Sequence, residues 1–220
     1  HAHVDHSGMI PAMVAKGYSG PVHCTEATHR LCNIMLQDSA HIQEQEAEWQ
    51  NRKAERSGSQ QYIPVYTVAD ALESLKLFEG HGYNKPIEIF EGITISFCDA
   101  GHLLGSASVH ITVNENGEER TILFSGDLGN IDRPLIRNPQ NPPYADYVVI
   151  ESTYGDRVHG ERPDYIAQLT KIMQETFSKG GNLVIPSFAI GRTQELLYLF
   201  RTIKEQNLIK GHENFIVYVD

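Results

Sequence analysis

Apolar and polar positions along the chain follow two periods, and the period changes at several points. A repeat of three to four residues predicts a helix, whereas alternating or continuous apolar runs between turn residues predict strands. The helical pattern covers residues 8–17, 26–38, 39–56, 68–78, 163–179 and 192–206. The strand pattern covers residues 21–24, 87–90, 93–98, 107–113, 120–125, 147–150, 182–187 and 214–219. These elements predict a mixed chain of the α/β (α+β) class.

The order of the elements changes near residue 156. Before it, Asn116-Gly117 between two strand patterns is a strong signal for a hairpin. The continuous apolar run 147–150 is typical of a strand that is covered on both faces. After residue 156 helices and strands alternate, which is typical of a separate parallel sheet. The sequence therefore predicts one domain over residues 1–155 and the first part of a second domain over residues 156–220.

Composition limits the class of protein. The chain has 220 residues, of which 40% are hydrophobic and 21% charged, so it can bury a sizeable core. It contains no run of about 18 apolar residues, and its first residues do not resemble a signal peptide. We therefore expect a cytoplasmic protein without a membrane span. The three cysteines form no Cys-x-x-Cys pair, which argues against disulfides and a zinc ribbon.

The balance of charges limits how a nucleic acid could bind. Lys and Arg number 18 against 28 Asp and Glu, which gives a formal net charge of −10. Non-specific binding of nucleic acid depends mainly on Lys and Arg contacts to phosphate. If RNA or DNA is the substrate, a local site must therefore bind it.

The chain begins with four side chains of the metal-ligand type in six residues: His1, His3, Asp5 and His6. In an extended or loop backbone alternate side chains point to the same side, so His1 and His3 can bind one ion. Asp5 and His6 can then turn toward a second ion. Zinc binds imidazole nitrogen and carboxylate oxygen, and two ions about 3.5 to 4 Å apart can share one carboxylate. This segment therefore predicts a metal site.

Two later strand ends offer further ligands. His102 follows an apolar strand in the segment DAGH, and Asp127 follows another in the segment FSGDLG. Either residue alone is more often a hydrogen-bonded structural residue or part of a turn. Beside the first six residues, however, both become natural ligands. The remaining histidines are isolated in the sequence and are interpreted as surface or hydrogen-bonded core residues: His23, His29, His41, His81, His110, His159 and His212.

A candidate phosphate contact lies farther along the chain. Gly191, Arg192 and Thr193 open a predicted helix after a predicted strand. Backbone N–H groups and a guanidinium would converge there, where an anion could bind. Such a junction is also commonly just a tight turn, and that alternative stays open. Arg192 and Thr193 are the candidate substrate-binding residues.

Several segments together resemble a known family. In order along the chain they are HAHVDH, DAGHLLGSAS, FSGDLG and IESTYGDR, and they are similar to the motifs of the metallo-β-lactamase superfamily. The last of them, with PSFAIGRTQELL, resembles the β-CASP branch, whose RNA-processing nucleases include the endonuclease of pre-mRNA 3′ cleavage, ribonuclease J and prokaryotic relatives. The resemblance covers nearly the whole chain. It implies an αββα metallo-β-lactamase sandwich with the start of an inserted α/β β-CASP domain.

The resemblance also implies roles for individual residues. The first zinc would be bound by His1, His3 and His102, the second by Asp5 and His6, and both by Asp127. Asp5 would orient the attacking hydroxide or accept its proton. Glu151 would be the catalytic acidic residue that marks the branch and interacts with a histidine beyond position 220. A last ligand of the second zinc is also expected there, so the chain is expected to be an internal fragment with an incomplete second site.

The function implied by the resemblance is a zinc-dependent ribonuclease. It would hydrolyse RNA phosphodiester bonds with a hydroxide activated by two Zn²⁺ ions, as an endonuclease, with a 5′ exonuclease mode left open. A catalytically silent RNA-binding or scaffold paralogue is one alternative. The presence of every expected ligand residue within this chain argues against it. A lactamase-fold hydrolase of a small ester or thioester is the other, and the segments ESTYG and GRTQELL argue against it. RNA is the expected partner, and a homodimer is left open.

Overall fold

The computed structural model describes residues 1–57, 61–158, 160 and 163–219, without the side chains of residues 56 and 57. The chain divides into two compact units, His1–Glu151 and Ser152–Asp220. The helices are α1 (Val4–Ser7), α2 (Ile10–Ala15), α3 (Glu26–Ser57), α4 (Val68–Leu75), α5 (Tyr165–Ser178) and α6 (Arg192–Glu205). The strands are β1 (Val22–Thr25), β2 (Phe78–His81), β3 (Ile87–Phe90), β4 (Ile93–Asp99), β5 (Ala107–Glu115), β6 (Glu118–Phe124) and β7 (Tyr147–Val149). The predicted α+β class is confirmed.

The first unit contains two sheets. Strands β1 and β2 form a parallel pair, and the larger sheet has the order β3-β4-β5-β6-β7. Strands β3 to β6 are antiparallel neighbours, whereas β7 lies parallel to β6 at the edge. Between β5 and β6, Asn116 and Gly117 have φ angles of 54° and 82°. Two successive positive φ angles are typical of the type I′ turn, so the predicted hairpin is confirmed.

The core of the first unit lies between the helices and the small sheet. Leu36 and Cys32 of α3 and Ala71 of α4 are fully buried, and they pack with Phe78 of β2. Helix α4 begins with a capping box, in which the Thr67 hydroxyl accepts the N–H of Asp70 and the Asp70 carboxylate accepts the N–H of Thr67. No helix in the described part of the chain has the length and apolar character needed to cross a membrane.

Two helix predictions are wrong in their bounds. Helix α3 is continuous over 32 residues, whereas the sequence predicts two helices that meet at residue 39. The hydrophobic pattern weakens there because the second half of α3 is mostly exposed, but neither Gly nor Pro interrupts it. The helix predicted over 68–78 ends at Leu75, and Phe78 already begins β2. Strand β2 was not predicted, because its partner β1 lies more than 50 residues earlier in the chain.

The prediction that both faces of the run 147–150 are covered is also wrong. The exposed fractions of Tyr147, Val148 and Val149 are 59%, 56% and 54%. Strand β7 forms an edge of the five-stranded sheet, so it has a neighbouring strand on one side only among the described residues. The apolar side chains of this strand therefore face outward in the described part of the chain.

The second unit contains the two predicted helices, observed as α5 and α6, but not the predicted parallel sheet. Among its described residues, neither 182–187 nor 214–219 forms a strand. Leu183 and Phe215 pack instead against a core formed by Met173, Ile203 and Ile209. Most residues of the two segments are exposed, among them Val184 at 83% and Ile216 at 70%, so the apolar pattern indicates partial packing against the helices and not a hydrogen-bonded ladder. The pattern alone cannot distinguish the two arrangements.

Candidate metal centre

The first six residues combine a short non-helical segment, residues 1–3, with the start of helix α1. His3 has extended backbone angles (φ −59°, ψ 147°), and α1 begins directly after it. The His3 carbonyl accepts the N–H groups of His6 and Ser7, and the Ser7 hydroxyl donates to the carbonyls of Ala2 and His3. Asp5 and His6 therefore lie on the first turn of a helix. The predicted extended or loop backbone is thus confirmed for residues 1–3, where His1 and His3 share one group, but it is wrong for Asp5 and His6, which lie on a helix.

Four of the predicted ligands meet in one cluster: His1, His3, His102 and Asp127. One ligand atom from each lies within 4.8 Å of the others. The Nε2 atom of His1 is 2.9 Å from Nδ1 of His3. The Oδ2 atom of Asp127 is 3.6 Å from Nε2 of His1 and 3.5 Å from Nε2 of His102. Three imidazoles and one carboxylate thus surround a common point.

A second group of ligands adjoins the first and includes Asp5 and His6, again with His1. The Nε2 atom of His6 is 3.2 Å from Oδ1 of Asp127 and 3.7 Å from Oδ2 of Asp5. The two oxygens of Asp127 consequently face different partners. Oδ2 faces His1 and His102, and Oδ1 faces His6. A carboxylate that bridges two metal ions would need this placement.

The surroundings of His102 test whether these residues suit a metal ion. Its Nε2 atom is buried and has no hydrogen-bond partner in the part of the chain that the structure describes. A buried polar atom is rarely left unsatisfied in a folded protein. Burial also lowers the pKa of His102, which favours the neutral imidazole that binds metal ions. The donors present, imidazole nitrogen and carboxylate oxygen, therefore fit zinc or a similar ion.

The loop that carries His102 is fixed by buried hydrogen bonds. The hydroxyl of Ser106, which is fully buried, accepts the N–H groups of His102 and Leu103 at 2.9 and 3.1 Å. The carboxylate of Asp99, at the end of β4, accepts the N–H of Gly101 at 2.9 Å. These contacts fix the backbone of the loop that carries the imidazole, and no sequence motif indicated this role of Ser106.

Two glycines bring the His102 loop against the Asp127 loop. The N–H of Gly129 donates to the carbonyl of Ala100 at 2.8 Å. A Cβ atom on Gly129 would lie only 1.6 Å from the carbonyl oxygen of Gly101. Gly101 itself has a φ of +62°, a backbone conformation that residues other than glycine rarely adopt. The close approach of the two loops therefore depends on glycine at both positions.

Glu151 supports the Asp127 loop from the neighbouring strand end. Its Oε1 atom accepts the N–H of Leu128, the residue after Asp127, at 2.6 Å. Its own N–H donates to the hydroxyl of Ser125 at 3.0 Å. Among the described residues, Glu151 thus positions the loop of Asp127, a candidate metal ligand. Its interaction with a histidine beyond residue 220 stays a prediction.

Substitutions of Glu151 can separate hydrogen bonding from charge. We expect Glu151→Ala to weaken zinc binding by about 10-fold or more, because supporting hydrogen bonds to a ligand loop are typically worth 10- to 100-fold in affinity. Glu151→Gln retains an oxygen that can accept the N–H of Leu128, so its affinity should stay close to that of the unmodified protein. Zinc competition with a chelator measures both variants. Equal losses in the two variants would contradict the positioning role.

The predicted substrate-binding residues lie in the second unit, at the start of α6. The guanidinium of Arg192 is 3.0 Å from the carboxylate of Glu195, and the Thr193 hydroxyl donates to the carbonyl of Phe188 at 2.7 Å. Gly191 precedes the helix with a φ of +91°. Both side chains therefore already have partners within the chain. Their contact with a phosphate stays a prediction.

Two histidines interpreted as isolated are in fact paired. Nδ1 of His23 on β1 is 3.0 Å from Nε2 of His81 on β2. This pair could not be predicted from the sequence, because its formation depends on strand β2, which was not predicted. His110 forms a hydrogen bond to the Tyr144 carbonyl, in agreement with its interpretation as a hydrogen-bonded residue. His159 lies outside the described residues.

Sequence comparison identifies relatives of the chain. The ribonuclease TTHA0252 of Thermus thermophilus is 36% identical over 92% of this chain and 42% of its own length. The transcription termination factor FttA of Methanocaldococcus jannaschii is 32% identical over 100% of this chain and 32% of its own length. A probable RNase of the same archaeon, MJ4, is 31% identical over 90% of this chain and 43% of its own length. No protein-family model matches the chain.

These relatives are considerably longer than the chain, which spans between about a third and two fifths of their length. The matches nevertheless include nine tenths or more of the chain, and therefore both of its units. By sequence similarity, the relatives of this chain are thus proteins named for RNA cleavage and for transcription termination.

Proposed function

We propose that this chain is part of a metal-dependent ribonuclease that hydrolyses phosphodiester bonds in RNA. The observation that carries the proposal is the placement of Asp127, whose two carboxylate oxygens face His102 on one side and His6 on the other. Relatives named as ribonucleases, which match nine tenths of the chain, support the choice of RNA as the substrate.

We further propose that the metal is zinc and that two ions bind. His1, His3 and His102 would bind the first ion, and Asp5 and His6 the second, with Asp127 between them. The buried Nε2 of His102, which has no hydrogen-bond partner among the described residues, supports an ion at the first position. When bound, zinc supplies a Lewis acid that lowers the pKa of water and neutralises charge on a phosphate.

The residues around the centre have separate tasks in this proposal. Asp127 holds the two groups of imidazoles at a fixed spacing through its two oxygens. The side chain of Asp5 is 75% exposed, so it can contact water on the solvent side of the centre and accept a proton from it. Ser106 and Glu151 prevent the two ligand loops from shifting as charge develops on the substrate. Rigid, preorganised surroundings of this kind favour the transition state.

The second unit is proposed to be the first part of a β-CASP domain that contacts the RNA backbone. Its segment GRTQELL supports this assignment. The N–H groups at the start of α6 and the guanidinium of Arg192 would bind a phosphate, which requires the Arg192–Glu195 contact to open. A local site of this kind would reconcile a polyanionic substrate with the net charge of −10.

The experiment that tests the proposed function is an RNA cleavage assay on the full-length gene product. End-labelled single-stranded RNA is incubated with the protein and zinc, and the products are resolved by length. Cleavage that EDTA abolishes and zinc restores is the expected result. Binding of RNA without cleavage at any metal concentration would overturn the proposal and favour the RNA-binding scaffold. Hydrolysis of a small thioester without RNA cleavage would favour the lactamase-fold hydrolase of a small ester or thioester.

A further inference from the structure

A second group of metal-ligand side chains lies on the small sheet and shares no residue with the centre described above. It consists of His23 on β1 and of Glu79 and His81 on β2. One ligand atom from each lies within 4.8 Å of the other two. Two imidazoles and one carboxylate form a ligand set that zinc uses in proteins.

The pairing of the two strands places these side chains on one face. Strands β1 and β2 are parallel, with His23 opposite Glu79 and Thr25 opposite His81. Alternate residues of a strand point to the same face of a sheet. His81 therefore shares a face with Glu79, two residues before it, and with His23 on the neighbouring strand. Backbone hydrogen bonds hold this register, so the convergence does not depend on a flexible loop.

The distances within the group suit one small ion. Nδ1 of His23 is 3.0 Å from Nε2 of His81 and 3.4 Å from Oε2 of Glu79. Nε2 of His81 is 4.0 Å from Oε2 of Glu79. A tetrahedral zinc ion with bonds of about 2.0 to 2.1 Å separates its ligand atoms by roughly 3.3 Å. The three observed distances lie within about 0.7 Å of that value, so small side-chain rotations would give the tetrahedral geometry of a zinc site.

The two imidazoles are partly buried, whereas the carboxylate is open to solvent. The exposed side-chain fractions of His23 and His81 are 17% and 21%, against 56% for Glu79. The ring of His81 also stacks on Phe97 of β4, with centroids 6.3 Å apart and planes inclined by 24°. Packing thus limits the rotation of His81, and an ion can enter from the side of Glu79.

We propose that His23, Glu79 and His81 form a separate site for a divalent cation of the zinc type, with water in the remaining position. The site does not depend on the proposed ribonuclease function, because none of its residues belongs to that centre. The alternative is that the three side chains bind no metal ion and share protons in a hydrogen-bonded group. Zinc binding distinguishes the two.

The test counts zinc bound at saturation by equilibrium dialysis and elemental analysis. It uses the full-length gene product that carries Asp127→Ala, so the count is independent of the first centre. His81→Asn should reduce the count by one zinc per chain, and His23→Asn should do the same. His41→Asn, which changes an exposed histidine on α3, is the matched control and should leave the count unchanged. An unchanged count in both His23→Asn and His81→Asn would overturn the proposal.

A second variant and a spectroscopic measurement guard against misfolding. Glu79→Gln changes an exposed side chain and should leave the circular dichroism spectrum unchanged while it weakens zinc binding by about 10-fold. X-ray absorption at the zinc edge should show two imidazole nitrogens with oxygen ligands. An affinity in Glu79→Gln equal to that of the parent, or a spectrum without imidazole scattering, would contradict the proposed ligand set.

Discussion

Asp127→Ala is expected to remove most of the zinc of the first centre and to lower RNA cleavage by about 10²- to 10³-fold, the loss typical for a preorganised electrostatic group. The reason is geometric. Oδ2 of Asp127 lies near His1 and His102, and Oδ1 lies near His6, so one substitution affects both groups of ligands. Elemental analysis and the cleavage assay measure the two effects on the same preparation.

Two further variants make this expectation specific. Asp38→Ala removes an exposed carboxylate from α3 and should change neither zinc content nor cleavage. Asp127→Asn keeps the shape of the side chain but offers only one oxygen as a ligand, so it should retain more zinc than Asp127→Ala and less than the unmodified protein. Full zinc content in Asp127→Ala would contradict the proposed bridging role.

Gly129→Ala should have the largest effect among substitutions of residues that bind no metal themselves. The added Cβ would lie 1.6 Å from the carbonyl oxygen of Gly101, a backbone atom that cannot rotate away. The loops that carry His102 and Asp127 must then separate, and the hydrogen bond from Gly129 to Ala100 breaks. We expect a loss of about 3 kcal/mol or more in the free energy of unfolding, at the upper end of overpacking. Urea denaturation measures it.

The same variant links the packing of the loops to metal binding. Even where Gly129→Ala still folds, its zinc affinity should fall, because His102 and Asp127 no longer face each other. Gly160→Ala is the matched control, since a Cβ at that position would contact nothing within 4 Å. It should unfold at the same urea concentration as the unmodified protein. If Gly129→Ala behaves like Gly160→Ala, the two loops do not touch in solution.

The sequence predicted which side chains cluster at the candidate metal centre better than it predicted the backbone that presents them. Metal-binding side chains are chemically distinctive, so His1, His3 and His6 could be singled out by residue type and spacing alone. The backbone that presents them was predicted as extended or loop, yet α1 begins after His3 and contains Asp5 and His6. Helical and extended turns can both bring closely spaced ligands together, so their convergence could be predicted where the local conformation could not.

Contacts between residues far apart in the chain account for most of what the sequence did not predict. Strand β2 is short and follows a helical pattern, and only its pairing with β1 makes it a strand. The hydrogen bond from the N–H of Leu128 to the carboxylate of Glu151 joins positions 23 residues apart, and no local motif predicts it. The two segments of the second unit that were predicted as strands illustrate the opposite error, in which a local apolar pattern was interpreted as a hydrogen-bonded ladder.

The edge strand β7 exposes apolar side chains at an open edge of the larger sheet. Its backbone pairs with β6 on one side, and its apolar side chains continue into Ile150, which is 64% exposed. Natural sheets usually protect such an edge with charges, proline or a covering segment, since an open apolar edge is a template for pairing between molecules. The described residues provide no such protection at β7. We therefore expect edge-to-edge self-association at β7 when this chain is concentrated, even while each molecule stays folded.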